Sequence, residues 1–318
     1  MTIHQGDVRE VLPTLDAGSV QCVITSPPYW GLRDYGVDNQ IGLESTPDAY
    51  VQTLVAVFQE VRRVLRDDGT VWLNLGDCYA GGTSTGRNDS GRIRDGGGSG
   101  SGMTDGSDRT KIEKRHDLKA KDLVGIPWRV AFALQADGWY LRSDIIWAKG
   151  VSFCPNYSGS VMPESVTDRP TKAHEYLFLL TKSPRYYYDA DAVREAHSTK
   201  QTNRPLSKVG DQLAMTGAKA GNVGTYAGYA DEGRNLRSVW TINPQPYREA
   251  HFATFPTALV EPCIKAGSKS GDLILDPFAG SGTVGCVALK LGREFVGIEL
   301  NPDYSRMARE SIVGPLFT

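Results

Sequence analysis

An apolar run over Val20–Thr25 predicts a buried strand, and Ser26-Pro27-Pro28 ends it. Two prolines cannot continue a central strand, so the chain must turn there. Thr46-Pro47 then opens a helix, with a capping hydroxyl followed by proline at the first helical position. Tyr50, Leu54, Val57, Phe58, Val61, Val64 and Leu65 recur at helical spacing, and Asp67-Asp68-Gly69 is the expected stop. Residues 70–75 read as the next strand. Strand, helix and strand in that order predict a parallel sheet. The pattern returns near Pro127 as a helix carrying Val130 and Leu134, then as strands over 143–147 and 175–180. The last third alternates most regularly. A short strand at 273–275 leads through a glycine-rich turn into a helix with Val284, Val287, Ala288 and Leu291. A strand at 295–298 follows, and Asn301-Pro302 opens a final helix.

Two stretches break this pattern. Residues 81–109 are dense in glycine and serine and cannot bury enough apolar surface to offset their ordering entropy. With the basic residues that follow, 81–121 reads as a mobile loop, either a solvated linker or a contact to a nucleic-acid backbone. Residues 189–248 are again polar and glycine-rich, a natural place for a separate lobe. No repeat of fixed period occurs.

Composition narrows the class. The chain has 318 residues, 40% hydrophobic and 23% charged, which suits one large α/β domain with a smaller lobe. Its sequence contains no apolar run long enough for a membrane helix and no signal peptide at its start. A net charge of -2 argues against an overall basic nucleic-acid binder but leaves room for a local basic cleft. The cysteines are odd in number and never spaced as CxxC, so they read as reduced core thiols of a cytoplasmic protein. No metal-ligand spacing is present among the histidines.

Two sites carry chemistry. The first is Asp276-Pro277-Phe278-Ala279-Gly280-Ser281-Gly282-Thr283, between a strand and a helix. Glycines let the backbone approach a ligand, and the helix start offers free N–H groups. Glu299 ends the following strand, where a carboxylate can accept from both hydroxyls of a ribose. The turn is neither GxGxxG nor GK[ST], so it suits a nucleoside without a polyphosphate tail. Asp276 could equally face a cationic amino group. The second site is Ser26-Pro27-Pro28-Tyr29-Trp30. The prolines hold the Ser26 hydroxyl and the Pro27 carbonyl in set directions, and Tyr29 and Trp30 offer stacking faces. Such a group clamps an exocyclic amino group, although an ordinary turn also fits the four residues.

Together the two sites resemble the DNA amino-methyltransferases, over nearly the whole chain. That family's catalytic tetrapeptide is [DNS]PP[YFW], here Ser26 to Tyr29, and its cofactor loop resembles DPFxGSGT, here Asp276 to Thr283. The catalytic motif comes first, as in the family's β-group. Gly6-Asp7 is similar to the acidic motif beside the cofactor, and residues 251–256, with Phe255, to the segment over its methionine end.

The resemblance implies a three-layer α/β sandwich around a mostly parallel seven-stranded, Rossmann-like sheet. Residues 1–188 would be the catalytic part, 189–248 the target-recognition region and 249–318 the cofactor-binding part. The implied cofactor is S-adenosyl-L-methionine (SAM), held by Asp7, Phe255, Asp276, Pro277, Phe278, Gly280, Ser281, Gly282, Thr283 and Glu299. The implied substrate is a base flipped out of double-stranded DNA. It would be clamped by Ser26, Pro27, Pro28 and Tyr29, with Trp30, Arg33 and Lys149 as further contacts. Serine in place of aspartate is associated mainly with cytosine-N4 members. Adenine N6, an RNA or protein amine, and a non-catalytic DNA binder stay open as alternatives. A cognate restriction endonuclease, a monomer or homodimer, no membrane and a cytoplasmic location complete the expectations.

Overall fold

The computed structural model describes residues 1–32, 36–37, 39–80, 118–153, 159, 161, 164–196, 233–244 and 256–313. Most of the expected loop at 81–121, much of 189–248, and Arg33 and Phe255 lie outside them. The described residues fall into two compact units, Met1–Tyr188 with Ser238–Thr318, and Asp189–Arg237.

The first unit is built on one sheet. Its strands are β1 (Thr2–Gln5), β2 (Val20–Thr25), β3 (Leu65–Leu75), β4 (Tyr140–Ala148), β5 (His174–Thr181), β6 (Val239–Thr241), β7 (Leu273–Asp276) and β8 (Glu294–Glu299). They lie in the order β1-β8-β7-β2-β3-β5-β4-β6. Only β5 runs against its neighbours β3 and β4, and every other pairing is parallel. The sheet thus has eight strands among the described residues, where seven were expected. The extra one, β6, is a three-residue edge strand whose pairing with β4 no local pattern announces.

The helices are α1 (Val8–Val11), α2 (Pro47–Val64), α3 (Ile126–Ala136), α4 (Thr257–Gly267), α5 (Thr283–Lys290) and α6 (Pro302–Val313). In α2, Thr46 accepts from the Ala49 N–H at 3.1 Å and Pro47 sits at the helix start. Its apolar stripe, with Tyr50, Leu54, Phe58 and Val61 fully buried, packs on Val23, Val71 and Leu73 of the sheet together with α3. Alternation along the strands turns Cys22, Thr70 and Trp72 to the opposite face. There, Gly267 at the end of α4 lies so close to these three side chains that a Cβ would meet Thr70 Oγ1 at 2.5 Å. The α4, α5 and α6 helices cover that side, which completes the three layers.

One boundary differs from expectation. Asp67-Asp68-Gly69 does not end α2, because the helix stops at Val64 and β3 begins at Leu65. The acidic pair instead lies inside the strand, where its register with β2 shifts between Val20 and Cys22. Gly69 fits this irregularity, since a Cβ there would lie 2.7 Å from the Leu65 side chain and 2.9 Å from the Gln21 carbonyl oxygen.

In the second unit, Glu195 and Arg234 form a two-way backbone bridge. Hydrogen bonds from Arg237, helped by Arg234, hold the Glu195 carboxyl down to about 2.

Candidate functional site

Sheet topology decides where the site forms. From β2 the chain crosses through α2 to β3 on one side, and from β7 it crosses through α5 to β8 on the other. β2 and β7 are neighbours, so the crevice beyond their carboxyl ends is the switch point where open α/β sheets bind ligands. A cleft of about 320 Å³ lies there. Because β5 is antiparallel, its first residues, not its last, reach the same edge and bring Glu175 to the cleft.

On the β7 side, Asp276 is buried and its Oδ1 accepts from the Thr25 hydroxyl at 2.7 Å and the Phe278 N–H at 3.0 Å. Burial pushes its carboxyl up to about 7, against those two hydrogen bonds, with the Glu299 charge adding a little. Glu299 accepts from the Gly280 N–H and the Asn301 N–H, each at 2.8 Å. Burial raises its carboxyl too, and the backbone donors offset part of the rise. Among the described residues, neither carboxylate has a lysine or arginine partner within 4.0 Å. A buried and a half-buried acid without a lysine or arginine partner among the described residues, beside the apolar Pro277, Phe278 and Ile298, suit a ligand that carries positive charge, a diol and a flat ring.

Asp7 also lines this end of the cleft and caps α1. Burial acts to raise its carboxyl, but hydrogen bonds from Arg9 outweigh that and leave it below the usual range. Gly280, Ser281 and Thr283 line the cleft as well, whereas Gly282 does not. It takes φ 85° at the start of α5, and a Cβ there would meet Ala308 of α6 at 3.1 Å. Gly282 therefore shapes the turn rather than touching the cavity.

On the β2 side, Ser26, Pro27, Pro28 and Tyr29 all line the cleft. The Tyr50 hydroxyl donates to the Pro28 carbonyl at 2.9 Å and pins the turn to α2. The Tyr29 ring lies over Gly76, where a Cβ would come within 2.5 Å of it. Its hydroxyl is 2.7 Å from Glu175 Oε2 and 3.0 Å from Asn74 Oδ1. Both are acceptors and a phenol has one proton, so the shorter contact to Glu175 takes it. The Ser26 hydroxyl reaches the Tyr29 oxygen from the other side at 3.4 Å. Burial, then the Glu175 charge, raises the Tyr29 phenol well above its ordinary value. Glu175 in turn forms an ion pair with Lys149, whose ammonium lies 4.8 Å from the centre of the Trp147 ring.

The sequence expectations divide accordingly. The structure brings Asp7, Ser26, Pro27, Pro28, Tyr29, Lys149, Asp276, Pro277, Phe278, Gly280, Ser281, Thr283 and Glu299 to one cleft. Trp30 needs correction as a stacking face. It is 1% exposed, packs in the core, and donates its indole N–H to the Glu44 carbonyl at 2.9 Å. A large apolar ring two residues beyond a tight turn swings back under it. Arg33 and Phe255 lie outside the described residues. Sequence reasoning missed Asn74, Gly76 and Glu175. Asn74 gave a signal, being a polar residue inside an otherwise apolar strand, and it is 2% exposed. Glu175 gave none, because an acid at the start of a strand is ordinary.

The comparisons agree with this geometry. The family model described as "DNA methylase" matches residues 20–310. The chain is 48% identical to the Type II methyltransferase M.Cfr9I of Citrobacter freundii, covering 98% of this chain and 88% of that protein. It is 45% identical to M.SmaI of Serratia marcescens, covering 97% and 89%. Among solved structures, PvuII DNA methyltransferase, titled cytosine-N4-specific, superposes with a TM-score of 0.62 at 18% identity, covering 99% and 87%. A Thermus thermophilus protein solved with SAM gives 0.56 at 24% identity, covering 98% and 92%. The cleft at the switch point, its two motifs and the family match over most of the chain lead to one conclusion: this chain belongs to the N6/N4 DNA methylase family, the DNA amino-methyltransferases.

Proposed function

We propose that the protein transfers a methyl group from SAM to the exocyclic N4 of a cytosine flipped out of double-stranded DNA. One observation carries the reading. A hydroxyl fixed by two prolines, Ser26 Oγ, stands in the same cleft as an acidic nucleoside pocket. SAM supplies an electrophilic methyl on a sulfonium. Asp276 takes the cationic amino group of the cofactor, Glu299 its ribose hydroxyls, and Phe278 its ring. On the other side, Tyr29 stacks on the base while Ser26 Oγ and the Pro27 carbonyl accept from its amino group. Acceptors that pull those N–H bonds out of the ring plane free the nitrogen lone pair, and orientation supplies much of the rate.

Ser26 supports cytosine over adenine through the resemblance alone: serine at this place is associated mainly with the family's cytosine-N4 members, while many adenine members carry aspartate, a stronger acceptor. Lys149 supports the same choice, since its ammonium offers a donor to the cytosine carbonyl, which adenine lacks. Residues 189–248 are assigned to target recognition, and a cognate restriction endonuclease and a cytoplasmic site of action belong to the same reading. Labelled-methyl transfer tests the substrate class, with unmethylated duplex DNA competing against RNA and a lysine-rich protein. Label confined to DNA is expected, and label in RNA or protein instead overturns the reading.

A further inference from the structure

Methyl transfer to a neutral amino group leaves the nitrogen with one proton too many. A serine hydroxyl can pass that proton on but cannot keep it. The cleft provides a route. Ser26 Oγ lies 3.4 Å from the Tyr29 oxygen, and that oxygen lies 2.7 Å from Glu175 Oε2. Glu175 is the carboxylate at the end of this chain of hydroxyls, its side chain 14% exposed at the foot of the cleft. Asn74 Oδ1 lies 3.0 Å from the phenol oxygen, and the Asn74 Nδ2 group donates to the Tyr176 carbonyl at 3.1 Å.

We propose that Glu175 receives the proton released in methyl transfer, through Ser26 and Tyr29. The inference rests on the placing of Ser26 against the amino group. The nitrogen bonds the methyl carbon as the carbon–sulfur bond breaks, and that bond's electron pair stays on sulfur. The nitrogen then gives its extra proton to Ser26 Oγ. The Ser26 proton moves to the Tyr29 oxygen, and the Tyr29 proton moves to Glu175 Oε2. Both hydroxyls end as they began, and Glu175 ends neutral. Lys149 is the ion-pair partner of Glu175 on the side away from the relay. A carboxylate one relay away thus replaces the carboxylate missing from position 26.

The charged and titratable groups around Glu175 are Lys149 on β4, Tyr29 after β2, and Lys172 and His174 next to it on its own segment. The test compares Glu175→Gln and Tyr29→Phe with the unchanged protein. Single-turnover methyl transfer to unmethylated genomic DNA is followed from pH 5 to 9, and SAM binding is measured separately by calorimetry. Glutamine still accepts from the Tyr29 hydroxyl but cannot hold a further proton. The expected result is a rate loss of about tenfold or more in each variant, with SAM affinity within about twofold of wild type. Acting as one relay, the two changes together should cost no more than either alone. A second readout is independent of activity: the Tyr29 phenol, followed by carbon-13 NMR of labelled tyrosines, should ionise at lower pH in Glu175→Gln.

Glu175→Gln with a wild-type rate overturns the relay. So does rescue by glutamine of a rate lost in Glu175→Ala, which marks a purely structural role. Failure of the cytosine reading is separate, because it appears in which base the unchanged protein methylates, not in the ratio between variants.

Discussion

Asp276 and Ser26 do different work within one cleft, and substitution should separate them. On the proposed reading, Ser26→Ala removes an acceptor for the amino group and leaves the nucleoside pocket intact. The account predicts a transfer rate lowered by about a hundredfold, roughly 3 kcal/mol of barrier, with SAM affinity unchanged. Asp276→Ala should do the reverse and weaken SAM binding first. Asp276 also makes binding depend on pH. Its carboxyl titrates near 7 because burial disfavours the charge. Below that pH it is increasingly neutral and no longer attracts a cation, so SAM affinity should fall toward about tenfold per pH unit. The same shift acts on stability. The folded carboxyl binds its proton more tightly than the unfolded one, so the stability it contributes is present at low pH. That stability is lost as pH rises toward about 7. Asp276→Asn keeps an acceptor for Thr25 and Phe278 without the buried charge. At pH 8 without cofactor it should melt about 3 °C or more above the wild type in calorimetry. An equal or lower Tm contradicts the burial argument.

At the scale of elements, the turn into α5 is fixed by Gly282 and the core by α2. Gly282→Ala places a Cβ at a left-handed φ and 3.1 Å from Ala308. That should cost about 1–2 kcal/mol and loosen SAM binding through the displaced turn, read by denaturant melts and calorimetry. Phe58, fully buried and 6.5 Å from Trp139 edge to face, anchors α2 to the turn between α3 and β4. Phe58→Ala should cost about 3–5 kcal/mol, visible as a lower denaturant midpoint.

Most elements were legible because their periodicity and caps are local, as Thr46-Pro47 for α2 and Asn301-Pro302 for α6 illustrate. What escaped was set by long-range pairing. β6 takes its partner from β4, and the start of β3 at Leu65 depends on β2, so neither is written in its own residues. The site follows the same rule. Ser26, Asp276 and Glu299 sit in motifs, while Asn74 reaches the cleft from the end of β3 beside β2 and Glu175 through the antiparallel β3–β5 pairing.

For the whole molecule, bulk charge says little about DNA. The formal net charge is -2, and much of the visible basic surface is already paired, as Arg169 with Glu164 and Arg194 with Asp191 show. Phosphate contact still requires released counterions, so duplex affinity should fall steeply with salt. Among the described residues, no helix is long and apolar enough to cross a membrane. The central claim is that this cleft methylates cytosine at N4. The most direct test is to incubate the purified protein with unmethylated genomic DNA and SAM, digest to nucleosides and analyse by mass spectrometry. The account predicts N4-methylcytosine. N6-methyladenine in its place, or no methylated base from a protein that binds SAM, contradicts it.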